Sequence, residues 1–417
     1  MGYEGAARVA GALAAFAPAS STSKLVETFA SRRGVLSRFE AFNRDSSRPL
    51  LWMHAPSVGE GLQARPVLDE VRARLPRVQL AYTYFSPSAA SFARGLSVDF
   101  ADVLPFDATP DVCRALQALR PTALVFSKLD VWPTLARQAS ARGTKLGLIS
   151  ATLSDGSSRR TGIAGALLRE AYAELDLVGA ISAGDADRLI ALGVPANRVS
   201  VTGDTRYDQV WSRAGATDLS SPLLLPLVSE RPTLVAGSTW PADEAPLLAA
   251  WNTIRAQVPN ARLIIVPHEP TPAHLASIEK WGSSLGVARL GTADAGAADV
   301  VLVDRVGVLG ELYALATVAY VGGGFHKAGL HSVLEPAAFG VPVMFGPLFT
   351  NSRDARLLVD ADGGLAVVDA SSLAAGLITW LGNRSERDAA GAAARAVVHT
   401  GLGAAERSFA LVAELLG

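Results

Sequence analysis

Residues 320–347 read YVGGGFHKAGLHSVLEPAAFGVPVMFGP, and this stretch decides what kind of chain surrounds it. An apolar run, Ala316–Val321, reads as a strand and passes directly into Gly322-Gly323-Gly324. A short loop then carries His326, Lys327 and His331 to Glu335, which stands just before Pro336. The apolar helical residues Ala337–Phe339, a Gly-Val-Pro turn and a second strand, Val341–Phe345, follow, closed by Gly346-Pro347. A corner of this kind lets backbone N–H groups approach an anion, and the helix N-terminus behind it favours negative charge. Glu335 suits a ribose, because a carboxylate accepts from two sugar hydroxyls at once. The other reading, a tight turn whose glycines serve packing alone, stays open, since a glycine-rich turn is a weak signal by itself.

The rest of the chain repeats this strand–corner–helix unit. Pro49–Ala55, PLLWMHA, reads as a buried strand that runs into Pro56-Ser57-Val58-Gly59-Glu60-Gly61. A helix follows from Leu62 to Leu75, with apolar spacing at Leu62, Val67, Leu68 and Val71. Further strands are predicted at Val78–Phe85, before Leu104-Pro105-Phe106-Asp107, and at Ala123–Phe126, Lys145–Ile149, Leu177–Ile181 and Val199–Thr202. Residues 209–231 mix Ser, Pro and Leu without period and read as a linker. A second series opens at Thr233–Ala236 before Gly237-Ser238-Thr239-Trp240-Pro241, where Asp243-Glu244 begins a helix. It continues through Arg262–Val266 before Pro267-His268-Glu269-Pro270, and Val300–Val303 before Gly307-Val308-Leu309-Gly310-Glu311. A strand near Leu365–Val368 completes it, and Arg387–Leu416 is Ala-rich and helical. Strands alternating with helices at this spacing mean parallel sheets. The expected architecture is α/β, two Rossmann-like domains whose parallel sheets face each other across a cleft, where such proteins bind ligands. The expected parts are a helical segment at 1–48, a first domain at 49–208, the linker, a second domain at 232–385 and a terminal helix at 386–417.

Composition narrows the class. At 417 residues the chain exceeds what one hydrophobic core usually supports. Apolar residues make up 49% and charged residues 18%, which excludes a disordered chain. A net charge of −1 leaves no footprint for nucleic acid. A single cysteine, Cys113, rules out an intrachain disulfide framework and fits a reducing compartment. The six histidines show no metal spacing, so neither a metal nor a cofactor is expected. No apolar run reaches the ~18 residues that a spanning helix needs. Ala6–Ala19 follows Glu4 rather than a basic run and does not read as a signal peptide. From Lys24 to Arg48, basic residues alternate with Leu25, Phe29, Leu36, Phe39 and Phe42. That mixture suits an anionic bilayer surface, or else an amphipathic helix packed on its own domain.

His54–Glu60, HAPSVGE, resembles the H-x-x-S-V-G-E run of the 3-deoxy-D-manno-octulosonic acid (Kdo) transferases of lipopolysaccharide synthesis. The likeness continues in order over nearly the whole chain. Asp130-Val131-Trp132-Pro133 resembles that family's Glu-x-Trp-Pro turn, and Ser150–Ser154 its Asn-Ala-Arg-Leu-Ser. Asp187-Arg188 with Leu192-Gly193 resembles D-x-x-R-x-x-x-L-G, and Gly203–Asp208 resembles G-N-x-K-F-D. Gly237-Ser238-Thr239 is similar to G-S-T-H, while residues 320–347 are similar to G-G-x-x-x-x-G-x-H-N-x-L-E-P and its closing G-P. There are departures. Lys128-Leu129-Asp130 stands where the family often has Glu-Thr-Glu, and His268 where many members have Arg, giving up bidentate pairing and permanent charge. Ser332 replaces Asn, Arg206 replaces Lys and Trp240 replaces His.

The resemblance implies the glycosyltransferase B (GT-B) architecture and an inverting, metal-independent transferase. A hydroxyl of a lipid A precursor (lipid IVA) would attack the anomeric carbon of CMP-Kdo at the cytoplasmic face of the inner membrane. An alcohol is a poor nucleophile near neutral pH, so a carboxylate must take its proton, and the resemblance assigns this to Glu60. The helix dipole lowers the pKa of that residue and desolvation raises it, and the second must at least balance the first for a useful base. Asp130 and Arg206 would support the transition state, or brace the domain as an interior ion pair. Charge on the departing CMP must be met by N–H groups and cations. Ser238, Thr239 and His268 are the implied phosphate-side residues, followed by Lys327; Glu269 belongs to the donor site, with Leu309, Gly310 and Glu311 at the cytidine and Ser332 and Glu335 at the ribose. Two other readings compete: a GT-B enzyme or epimerase acting on a UDP-sugar, which calls for Arg or Lys grip on a diphosphate, and a non-catalytic nucleotide-sugar-binding protein.

Overall fold

A computed structural model describes residues 24–154, 162–327, 329–350 and 352–417. The chain forms two compact units, one built from residues up to Gln209 together with Leu402–Gly417, the other from Val210–Gly401.

In the first unit seven strands, β1 (Leu50–His54), β2 (Gln79–Tyr84), β3 (Phe100–Val103), β4 (Ala123–Ser127), β5 (Lys145–Ala151), β6 (Leu177–Ala180) and β7 (Val199–Val201), form one parallel sheet in the order β3-β2-β1-β4-β5-β6-β7. In the second, β8 (Thr233–Thr239), β9 (Arg262–Pro267), β10 (Val287–Arg289), β11 (Val300–Leu302), β12 (Val318–Val321), β13 (Val343–Phe345) and β14 (Gly364–Ala366) are ordered β10-β11-β9-β8-β12-β13-β14, again all parallel. The architecture is α/β, as expected. Central strands are mostly apolar and buried at every position because helices cover both faces. All five residues of β1 and all six of β2 are buried. In the second sheet alternate residues feed opposite layers: Leu234 and Ala236 pack with Trp251 and Leu377, while Val235 packs with Leu224 and Tyr313.

Strand order reverses between β1 and β4 in one sheet and between β8 and β12 in the other. Loops leaving the carboxyl ends of strands diverge there, which opens a crevice for a ligand. HAPSVGE follows β1, and Lys128 to Trp132 follow β4. Ser238 to Trp240 close β8, and the glycine corner follows β12. At each switch point one residue that is not glycine takes a left-handed backbone: Lys128 at φ 67° and Ser238 at φ 53°.

Several boundaries differ from expectation. Residues 209–231 are not a bare linker: helix Arg206–Ala216 and a turn at Leu225–Leu227 occupy much of them, and Leu224 and Leu227 lie fully buried in the second unit's core. The terminal segment is two helices, Arg384–Thr400 and Ala404–Leu416, interrupted at glycines, and the second belongs to the first unit. Phe409, Val412 and Leu415 join that unit's core. The segment before β1 is packed on its own domain. Phe39 is buried against Trp52 and Phe100, Arg38 binds Asp102, and Arg32 lies over the rings of Phe85 and Phe106. Residues 1–23 lie outside the described part of the chain. Among the described residues no helix is long and apolar enough to cross a membrane.

Candidate active site

Helix Val58–Arg74 begins directly after β1, with Ser57 in extended conformation at its N-cap and Glu60 in its first turn. Gly61 lets this helix pack close to its neighbours, because a Cβ there would collide with Phe92 and the Tyr82 hydroxyl. The Ser57 hydroxyl donates to one oxygen of Glu60, and Lys128 Nζ lies 3.1 Å from the other. Burial pushes the Glu60 carboxyl up, but the Ser57 hydrogen bond and the Lys128 ammonium outweigh it, so its pKa falls below the usual carboxylate value. The expectation that burial at least balances the lowering influences is not met, and the groups that outweigh it are the Ser57 hydroxyl and the Lys128 ammonium. Glu60 is ionised at neutral pH and can accept a proton.

Asp130, next on the β4 loop, accepts from Trp132 Nε1 at 2.9 Å and lies 3.5 Å from His54 Nε2. His54 is wholly buried, its other ring nitrogen 3.0 Å from the Thr83 hydroxyl. Arg206 starts the helix after β7 and grips Asp204 through Nε and Nη2 at 2.9 and 2.7 Å. Asp204 also receives Gln63 Nε2 at 3.3 Å, and Thr205 donates to the Gln63 carbonyl, which ties Arg206 to the helix carrying Glu60. The acid that serves the Arg188 motif is Asp185, not Asp187: Asp185 is buried, accepts from Leu153 N–H at 2.8 Å, and pairs with Arg188 at 3.0 Å.

In the second unit several amides of the glycine corner, those of Gly322, Gly323 and Phe325, are already taken. Asp243, fully buried, accepts from the N–H groups of Gly323 (2.8 Å), Phe325 (3.0 Å) and Trp240 (3.0 Å) and from the Tyr320 hydroxyl (3.2 Å). An internal carboxylate stands where the sequence reading left room for an external anion. The glycines are required by backbone approach: a Cβ on Gly322 would strike Ser238, one on Gly323 would strike Gly329, and one on Gly324 would strike Gly346. Packing alone therefore accounts for them. The Thr239 hydroxyl is committed too, donating to Glu244 at 2.8 Å, a carboxylate that also binds His274.

Beside this corner four rings stack. His326 lies on Trp240 with centroids 4.6 Å apart, Trp240 on His268 at 4.7 Å, and His268 on His331 at 4.4 Å. Trp240 Nε1 donates to His331 Nε2 at 3.2 Å. Burial, then neighbouring His268, holds the His331 pKa below the ordinary histidine value. Glu269 and Ser332 are exposed at the rim. On the other side of β8, Leu309 and Tyr313 fill the space above Gly237, and the guanidinium of Arg213 lies against Gly310. Burial raises the Glu335 pKa, with Arg213 acting in the opposite sense. Glu311, one residue on, is half-buried. The structure thus gathers Ser238, His268 and His331 on one side and Leu309, Gly310 and Glu335 on the other. Arg213 and Asp243 went unassigned in the sequence reading. Arg213 fell in the stretch read as linker, although Tyr207 and Val210 show helical spacing there. Asp243 was visible as an acid opening a helix, but its partners come from β12. Among the described residues no group of His, Cys, Asp and Glu could hold a metal ion.

The fold is shared with nucleotide-sugar enzymes. The UDP-GlcNAc 2-epimerase from Neisseria meningitidis bound to UDP-GlcNAc superposes with a TM-score of 0.64 at 13% identity, covering 88% of this chain and 99% of that one. A UDP-N-acetylglucosamine 2-epimerase described as putative, from Listeria monocytogenes, gives 0.63 at 14%, covering 88% and 96%. This likeness defines a GT-B-type α/β protein. Sequence goes further. A family profile described as 3-Deoxy-D-manno-octulosonic-acid transferase (kdotransferase) matches residues 29–209. The 3-deoxy-D-manno-octulosonic acid transferase of Bordetella pertussis is 30% identical over 394 residues, covering 88% of this chain and 87% of that one. That of Haemophilus influenzae is 27% identical over 363 residues, covering 86% and 85%. The chain belongs to the 3-deoxy-D-manno-octulosonic acid transferase family.

Proposed function

We propose that this chain is an inverting Kdo transferase that moves Kdo from CMP-Kdo to a lipid A precursor, with Glu60 as general base. The observation that carries the reading is Glu60 itself, an ionised carboxylate in a helix's first turn at the β1/β4 switch point, held at both oxygens. The first unit takes the acceptor and the second the CMP moiety. There the stacked histidines and Ser238 meet the phosphate, Leu309 to Glu311 with Arg213 line the base, and Glu335 holds the ribose. No metal enters the step: Glu60 takes the acceptor hydroxyl's proton as the new bond forms at the anomeric carbon, and CMP leaves with the electron pair. Because the acceptor is a lipid, the reaction runs at the cytoplasmic face of the inner membrane, with the protein peripheral to it.

The test incubates the full chain with CMP-Kdo, generated in situ, and a lipid A precursor. Product is expected from the native protein, and Glu60→Ala should abolish it while CMP binding persists. Normal turnover by the variant would falsify the base assignment. A thermal-shift panel of CMP, UDP and GDP separates the competing readings: stabilisation by UDP alone removes the Kdo-transfer reading in favour of a UDP-sugar enzyme.

A further inference from the structure

We propose that Lys128 is a positioning residue for Glu60: its ammonium keeps that carboxylate ionised and aimed, and so sets the pH at which the base works. The inference rests on the reading of Glu60 as the base.

Three observations support it. The ammonium lies 3.1 Å from one carboxylate oxygen while Ser57 holds the other, so the group has one orientation rather than a choice of several. Next, Lys128 adopts φ 67°, a conformation that a residue with a β-carbon avoids, with its N–H donating to the Ile149 carbonyl at 2.8 Å. Such a backbone persists where the surroundings over-determine it, and it recurs at sites where side-chain aim matters. Here the chain leaves β4 in that conformation and the side chain reaches the first turn of helix Val58–Arg74. Last, no other charge competes for the contact among the described residues. Tyr82 on β2 senses Glu60, but burial pushes its phenol up and it stays neutral. Asp130 is turned to Trp132 and His54.

The sign follows from Coulomb's law. Removing the cation makes the Glu60 anion less favourable, so the carboxyl holds its proton to higher pH. The acid limb of the rate profile must then move up, and the plateau above it, where Glu60 is ionised in either protein, falls only as far as the lost aim lowers it. A purely structural role would instead lower the rate at every pH and leave the limb in place.

The experiment follows kcat and KM against pH for the native chain, Lys128→Met, Lys128→Arg and Lys128→Gly, with CMP-Kdo and a lipid A precursor. Lys128→Met should displace the limb to higher pH, each unit reading as about a tenfold loss on the acid side. Lys128→Arg should leave the limb where it is. Lys128→Gly removes the ammonium and the backbone penalty together, so its limb should move as far as that of Lys128→Met with no fall in Tm. A carbon-13 titration of Glu60 reads the same displacement without turnover. An unmoved limb and unmoved titration, alongside an inactive Glu60→Gln, overturn the inference alone. Full turnover by Glu60→Gln, or none by the native chain, overturns the reading on which it rests, and the inference with it.

Discussion

At the scale of single residues, the second unit's stacked rings give the clearest prediction. His331 accepts from Trp240 Nε1 and touches His268, so adding a proton there both breaks a hydrogen bond and costs desolvation. Its folded pKa lies below its unfolded one, and the sign follows. The folded state takes the proton less readily than the unfolded chain, so stability is full above about pH 6.5 and declines as the pH falls from there. His331→Gln should flatten that decline in Tm against pH between about 8 and 5. An unchanged slope would mean that other groups carry it. Glu60 and Lys128 were both legible as residues of interest in the sequence. Their pairing was not, since 68 positions separate them and β4 brings them together through its parallel register with β1.

At the scale of the element, the β12 corner is hydrogen-bonded from the side by the helix Pro241–Gln257 through Asp243. Asp243→Ala leaves four donors without that partner, at about 1–3 kcal/mol for each one that stays buried and unsatisfied. The expected outcome is a loss of several kcal/mol in denaturant unfolding and loss of CMP binding. Asp243→Asn, which still accepts through its carbonyl, should recover part of the stability. Gly237→Ala tests the neighbouring strand. Its methyl would collide with the Tyr313 hydroxyl and crowd Leu309, an overpacking cost of about 1–3 kcal/mol readable as a lowered midpoint. That the strands of both sheets are legible follows from their continuous apolar runs. Their ends are less so: Ala316 and Thr317, read as strand, precede β12 because the chain is still closing the turn Tyr313–Leu315.

At the scale of the whole chain, the terminal helix belongs with residues nearly two hundred positions earlier. Asp208 accepts from Gly403 N–H at 2.8 Å and Ala405 N–H at 2.9 Å, so a residue of the GDTRYD stretch caps the helix Ala404–Leu416. Asp208→Ala should cost about 1 kcal/mol, as lost caps do, without changing CMP affinity. Deleting residues 402–417 uncovers Gly147 on β5 and removes Phe409, Val412 and Leu415 from the first unit's core. At about 1.5–3 kcal/mol for each buried apolar side chain, this approaches the whole stability of a domain. The first unit should then become sensitive to protease while CMP still stabilises the second; a resistant first unit would show the helix to be dispensable. By itself the sequence determined two βα series, their parallel sheets, the family and the loops that matter, because periodicity and local motifs are written along the chain. Which groups neutralise one another, Lys128 with Glu60, Asp243 with the glycine corner and Asp208 with the last helix, was decided by tertiary structure. Each of those pairings joins segments that only strand order and packing bring into contact, and electrostatic energy depends on distance through space, not along the chain.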